Sequence, residues 1–336
     1  MGAVEVTEML ARTAQGLYWM SRYLERAEHT CRLLSTQFET LEDGSVEEID
    51  ENWRRIFESI ARTPTGGYLS DNLDDEDFML TDSFTLADEM TFELHNSDSI
   101  RSCINSAREN ARQVRNVIGL QMWTQLNKTY LELKNASIHK IWNDDPEMFY
   151  LNTGDSVRAL SGIFDSTMYR DHGWHFSELG RYIERMQIVA SLLLAQVQVF
   201  PSDADHSDSD WSSLLSICDS KLAYQRKHSP LAFYPREVLE FVLRNESLAH
   251  SVRFCLIEIL KHLGSVSSPQ MESTMNEIYA QSDLIGDYLD GNFKRDYPHD
   301  REISDLLRNI LNASRSLNDS VNNVFFDYHL ATAHST

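Results

Sequence analysis

Apolar residues recur in alternating three- and four-residue steps along two stretches of this chain. In the first they are Leu17, Met20, Leu24, Ala27, Cys31, Leu34 and Phe38; in the second, Phe176, Leu179, Ile183, Met186, Ala190, Leu193 and Val197. That spacing is the seam of a helix packed lengthwise on others. Each seam carries the same pentapeptide in the same helical frame, Arg22-Tyr23-Leu24-Glu25-Arg26 and Arg181-Tyr182-Ile183-Glu184-Arg185. The copies lie 159 residues apart, nearly half of the 336-residue chain. The pattern predicts an all-α protein: one large helical bundle over 1–336, with two related halves at about 7–160 and 161–330.

Helical periodicity also dominates elsewhere, and alternating strand patterns are scarce. A first helix is expected from about Thr7 to Leu41, with a glycine stop at Gly44, and a second from Val46 to Ala61. Asn96-Ser97-Asp98-Ser99 reads as a capping cluster opening a helix from Ile100 to about Gly119. A segment at Leu86–His95 precedes that cluster, and further helices are expected at Met122–Trp142, from Pro146 through Phe164, and at Trp174–Phe200. Beyond the polar loop Pro201–Asp210, they are expected at Trp211–Tyr224, Pro235–Leu243, Ser251–Leu263, Met271–Leu289 and Arg301–Asp327. Asp71–Asp77 reads as loop or helix entry, and the tail after His329 as frayed.

At 42% hydrophobic residues the chain can bury a substantial core. No apolar run is long enough to span a bilayer, and the first residues lack a basic-then-apolar signal pattern, so a cytoplasmic protein is expected. The net charge of −22 repels nucleic acid and anionic membranes and suits basic partners. Cys31, Cys103, Cys218 and Cys255 form no CxxC pair, and Cys31 falls on the seam as a small buried hydrophobe.

Arg22, Glu25, Arg26 and His29 cluster opposite the first seam, on a face that would be wet on an isolated helix. Glu25 lies between the two arginines, placed to pair with one and leave the other's fork free. Opposite the second seam stand Ile188 and Leu192, so that helix is expected to be central, with Arg181, Glu184 and Arg185 beside buried surface and therefore paired. Two readings stay open: a buried ion-pair network holding helices in register, or an anion site. Glu25 and Glu184 are candidate general bases, although a buried carboxylate beside arginines is a poor one. Arg101, Arg108, Arg112 and Arg115 share one helical stripe, again as internal pairs or as a groove for an anionic ligand. His172, His175 and Glu178, or Glu25, Glu28 and His29, could crowd one turn, but neither gives the duplicated Glu-x-x-His of di-iron bundles, and no metal site is expected. Met9, Met20 and Met186 read as core filler; Trp19, Trp123 and Trp174 read as packing anchors. No phosphate loop, GxGxxG or nucleophile elbow occurs, so any ATP and magnesium belong on a partner.

Three ordered blocks resemble the alpha-E family, a bacterial helical family named for its Glu-Arg motif. Met9–Leu34 is similar to its N-terminal signature, Ser99–Asn127 to its central Ala-Arg-Glu-Asn-Ala-Arg block, and Gly162–Met186 to its second Glu-Arg block. Two departures stand out. Ala249-His250 replaces a Pro-Arg step, and Met186-Gln187 replaces Ala-Asp. The resemblance implies a companion of ATP-grasp-like or asparagine-synthetase-like enzymes, with amide-bond formation or modification on peptides as the theme. It carries the signature onto Arg22, Glu25, Arg26, Arg181, Glu184 and Arg185. It also carries the central block onto Arg108, Asn110, Arg112 and Arg115, and the second block onto Asp165, Thr167, Arg170 and Trp174.

Overall fold

The computed structural model describes residues 2–64, 76–200, 208–228, 231–267, 272–291 and 300–326. Within them lie fourteen helices and no strand. They are α1 (Gly2–Asp43), α2 (Val46–Ser59), α3 (Glu76–Phe92), α4 (Ile100–Gln113), α5 (Arg115–Asn135), α6 (Ile138–Asn143) and α7 (Pro146–Thr167). After them come α8 (His172–Val199), α9 (Asp208–Ile217), α10 (Lys221–Lys227), α11 (Pro235–Arg244), α12 (Val252–Val266), α13 (Glu272–Asp290) and α14 (Asp300–Phe325). Most of the loop at 201–210 and the tail after His329 lie outside the described residues, as do most of Asp71–Asp77 and the side chain of Met9.

Every residue of both apolar seams is buried. The seams bring α1 and α8 together as the central pair, with α4 and α7 packed on α1, and α2, α12 and α14 packed on α8. The two run in the same direction: Leu17 lies against Gly173, Ser21 against Ser177, and Glu25 against Arg185. Gly180 sets their spacing. A Cβ there would stand 2.2 Å from the Tyr18 carbonyl oxygen, so only a residue without a side chain permits this approach.

The expected contrast between the two helices disappears: α8 is central, as its two apolar sides predict, and α1 is central as well. The polar face of α1 is not wet: Arg22, Glu25, Glu28, His29 and Arg32 are all buried, and from Ala27 to Phe38 every residue is. On α8, Ile188 is only half-buried. Neighbours on all sides of α1, which a single helix's periodicity cannot announce, account for the difference.

Local signals fix several helix starts. Ser99, Asp145, Asp171 and Ser251 each accept a backbone N–H from the first turn of α4, α7, α8 and α12. Ser45 and Glu48 form a reciprocal capping box on α2. Three expected helices are broken. The one from Ile100 stops at Gln113, and its continuation, α5, loses helical geometry at Gly119 (φ 74°). The one from Met122 ends at Asn135, before Ser137 opens α6. The one from Trp211 is cut at Asp219 (φ 49°) into α9 and α10. Cys31, Cys103, Cys218 and Cys255 are free and buried.

Candidate functional site

The two pentapeptides meet and exchange ions reciprocally. Glu184 on α8 accepts hydrogen bonds from Arg22 Nε (2.6 Å) and Arg26 Nε (2.7 Å) on α1. Glu25 on α1 accepts two from Arg185 on α8, Nε at 2.5 Å and Nη2 at 2.9 Å. The glutamate of each motif is thus held by the last arginine of the other. The sequence reading, which placed Glu25 with the arginines of its own turn, is corrected. Close approach at Gly180 brings the two motifs within reach of each other. Arg181 alone follows the local pattern, donating to Glu178 on its own helix at 3.1 Å.

The outer ends of both last arginines reach equivalent places. Arg26 Nη1 donates to Asp98 (3.0 Å) in the loop before α4. Arg185 Nη1 donates to the Ala249 carbonyl (3.3 Å) in the loop before α12. Both loops are built alike. The N-cap hydroxyls of Ser99 and Ser251 reach back to the carbonyls of Glu93 and Asn245. Arg22 also donates to Gln187 Oε1 (2.9 Å) and to Asn318 of α14, which in turn accepts the Tyr18 hydroxyl (2.8 Å).

Burial would raise the Glu184 and Glu25 carboxyls, but the guanidinium groups outweigh it. Arg22 and Arg26 hold Glu184 below the usual carboxylate range, and Arg185, Arg32 and Arg181 do so for Glu25. Neither is a base near neutral pH. Glu178, almost as buried, goes the other way: burial raises its carboxyl despite Arg181 and Arg185. Of the carboxylates on this face it is the one poised toward neutrality. Sequence reasoning weighed it only as a metal ligand.

A second ionic cluster adjoins the first. Glu28 accepts from Arg32 (2.7 Å) and Arg158 (3.0 Å), and Asp219 accepts from the same pair at 3.1 and 3.0 Å. Two histidines lie close by. Burial, then Arg32, pushes the His29 ring well below its ordinary value; burial, then Arg185 and Arg32, does the same for His250. Both rings are thereby held toward the neutral form.

The remaining candidates lie in other places. Arg108 donates to Asn127 (2.9 Å) and Glu109 (3.1 Å) and lies over Trp123 and Tyr130, while Arg112 pairs with Glu109. Arg115 lies over Trp123 beyond the break at Val114, so the four-arginine stripe is not one continuous helix face. Asn110 bonds back to the Ser106 carbonyl. At the α7–α8 corner, Arg170 pairs with Asp165 (2.7 Å) and covers Trp174, and Thr167 bonds the Ile163 carbonyl. His175 turns to His262 across 2.9 Å. Among the described residues no three His, Cys, Asp or Glu side chains gather as a metal would need.

The family profile that describes a predicted alpha-helical domain with a conserved ER motif matches residues 9–326. The chain belongs to the Alpha-E family. Both Glu-Arg steps described above, Glu25-Arg26 and Glu184-Arg185, fall within the matched residues. Among curated proteins, uncharacterized proteins of Mycobacterium bovis and Mycobacterium tuberculosis are each 25% identical over 234 residues, covering 64% of this chain. The match covers only 25% of each relative's length, so the chain spans about a quarter of proteins much longer than itself. No solved structure matches. No described helix is long and apolar enough to cross a membrane.

Proposed function

We propose that this Alpha-E protein is the companion subunit of an ATP-dependent enzyme that forms or modifies amide bonds on peptides. An ATP-grasp-like or asparagine-synthetase-like partner would bring ATP and magnesium. This chain would contribute a guanidinium-lined surface for a peptide or an anionic group, working in the cytoplasm as one helical body without nucleic acid or membrane. The observation that carries the reading is the state of the motif. Its glutamates are buried and held toward the ionised form by arginines, so they are spent on architecture and are poor proton acceptors. Chemistry is then expected from elsewhere. In the mycobacterial relatives the matched region is attached to a much longer chain, which is where a catalytic unit could reside.

Preorganised donors on the rim of the lock would steady negative charge developing during acyl transfer. The test is co-expression with an ATP-grasp-like or amide-ligase protein of the same genome, followed by size-exclusion chromatography. A co-eluting complex with ATP turnover on the partner is expected; two separate peaks would defeat the companion reading. A second reading, a purely structural adaptor, is favoured by the reciprocity of the ion pairs. It requires that rim variants leave the assembly's activity unchanged. A stand-alone enzyme using Glu25 or Glu184 as base has the lowered carboxyls against it.

A further inference from the structure

Beside the Arg26–Glu184 contact a cleft of about 160 Å³ opens between α1, α8, α14, the end of α2 and the loop before α4. Its polar lining includes Arg26, His29, Asp98, Glu184, Ser191 and Arg315. The charges are not balanced. Glu184 is shared by Arg22 and Arg26, and Asp98 by Arg26 and Arg62. Arg315, exposed on α14, has no ion pair or hydrogen bond among the described residues. Arg26 and Arg315 line the cleft with Glu184 and Asp98, and Arg22 and Arg62, behind the lining, pair with those same two carboxylates, so the connected group holds four guanidinium groups to two carboxylates in a chain of net charge −22. At physiological salt, charges beyond about 8 Å are largely screened, so the local excess decides what enters.

Two neutral groups complete the wall. His29 is 5% exposed, lines the cleft and has no hydrogen-bond partner among the described residues. Ser191 likewise offers a free hydroxyl. Ser59, Ile60 and Ala61, where α2 ends, also line the cleft, with Ala61 in the left-handed region (φ 53°). A helix's last carbonyls accept hydrogen bonds and repel anions. The carbonyls of Ile56, Phe57 and Glu58 are already taken within the turn, which leaves those of Ser59 and Ile60 as the acceptors α2 has to offer a ligand. The cleft's volume of about 160 Å³ suits a group of amino-acid size.

We propose that this cleft binds the α-amino-acid unit at the free C-terminus of a peptide, with the carboxylate on Arg315 and Arg26 and an N–H toward the end of α2. A planar carboxylate matches the guanidinium fork. Inorganic phosphate has no N–H for those carbonyls. The inference names a ligand class for the surface proposed above and rests on that surface binding something, not on the identity of the partner enzyme.

The test is calorimetric titration of the full chain alone with N-acetyl-dialanine, its C-terminal amide, L-alanine and inorganic phosphate. N-acetyl-dialanine should bind, and amidation should weaken it by about tenfold or more. Arg315→Met should cause a similar loss with an unchanged unfolding temperature, and Arg315→Lys should restore part of it. Binding of L-alanine as well would identify the free amino acid as sufficient; binding of the acetylated dipeptide only would identify a peptide end. Equal binding of acid and amide, phosphate binding as tightly as the dipeptide, no binding of any probe, or an unaffected Arg315→Met variant would each overturn the proposal. Since no partner is present, this outcome is independent of whether the companion complex forms.

Discussion

Glu184 is 3% exposed and receives two arginines, so removing it leaves Arg22 without its carboxylate in a dry interior and Arg26 with Asp98 alone. Glu184→Ala is expected to cost about 3–5 kcal/mol in urea unfolding. A loss below about 1 kcal/mol, the range of an exposed pair, would mean the contact is solvated. The titrating groups give a pH signature. His29 and His250 have ring values below the ordinary ~6.5, so the unfolded chain takes up protons first as pH falls. Their contribution is present above about pH 6.5 and is lost as pH drops toward the folded values. Glu25 and Glu184, lowered in the fold, add a second loss below about pH 4.3. Glu178, raised by burial, works in the opposite direction and partly offsets it. Unfolding free energy should therefore fall between about pH 7 and 5. His29→Asn should flatten that fall; a slope of the other sign would show that the rings are charged in the fold.

At the scale of the element, the α1–α8 pair depends on one missing side chain. Gly180→Ala would drive a methyl into the Tyr18 backbone, and with no flexible atom to give way the helices must separate. A loss of at least about 1–3 kcal/mol is expected, with weakened arginine pairing seen in side-chain NMR of Arg22 and Arg185. An unperturbed variant would show that the spacing is set elsewhere. Both seams were legible in the sequence because burial on one helix face leaves a period. The buried polar face of α1 was not, since it depends on α4, α7 and α8 closing around it. Helix ends marked by a capping side chain, such as Ser99 and Asp171, were readable. The breaks at Val114 and Asp219, which have no proline or glycine, were not.

For the whole molecule, the residues of the Glu-Arg lock could be named from the repeat, but their partners could not. Pairing across 158 to 162 residues is set by how two helices are brought side by side. The cleft was less visible still. Arg315, Asp98 and Ser191 lie outside the repeated motif and share no spacing with it; only His29 was grouped with the motif beforehand. The central claim is that each motif glutamate belongs to the arginines of the other helix. A double-mutant cycle tests it most directly, with Glu25→Gln and Arg185→Met across the helices compared with Glu184→Gln and Arg185→Met within one motif. The account predicts a coupling of about 1–3 kcal/mol for the first cycle and about 0.5 kcal/mol or less for the second. Strong coupling between Glu184 and Arg185, with none between Glu25 and Arg185, would contradict it.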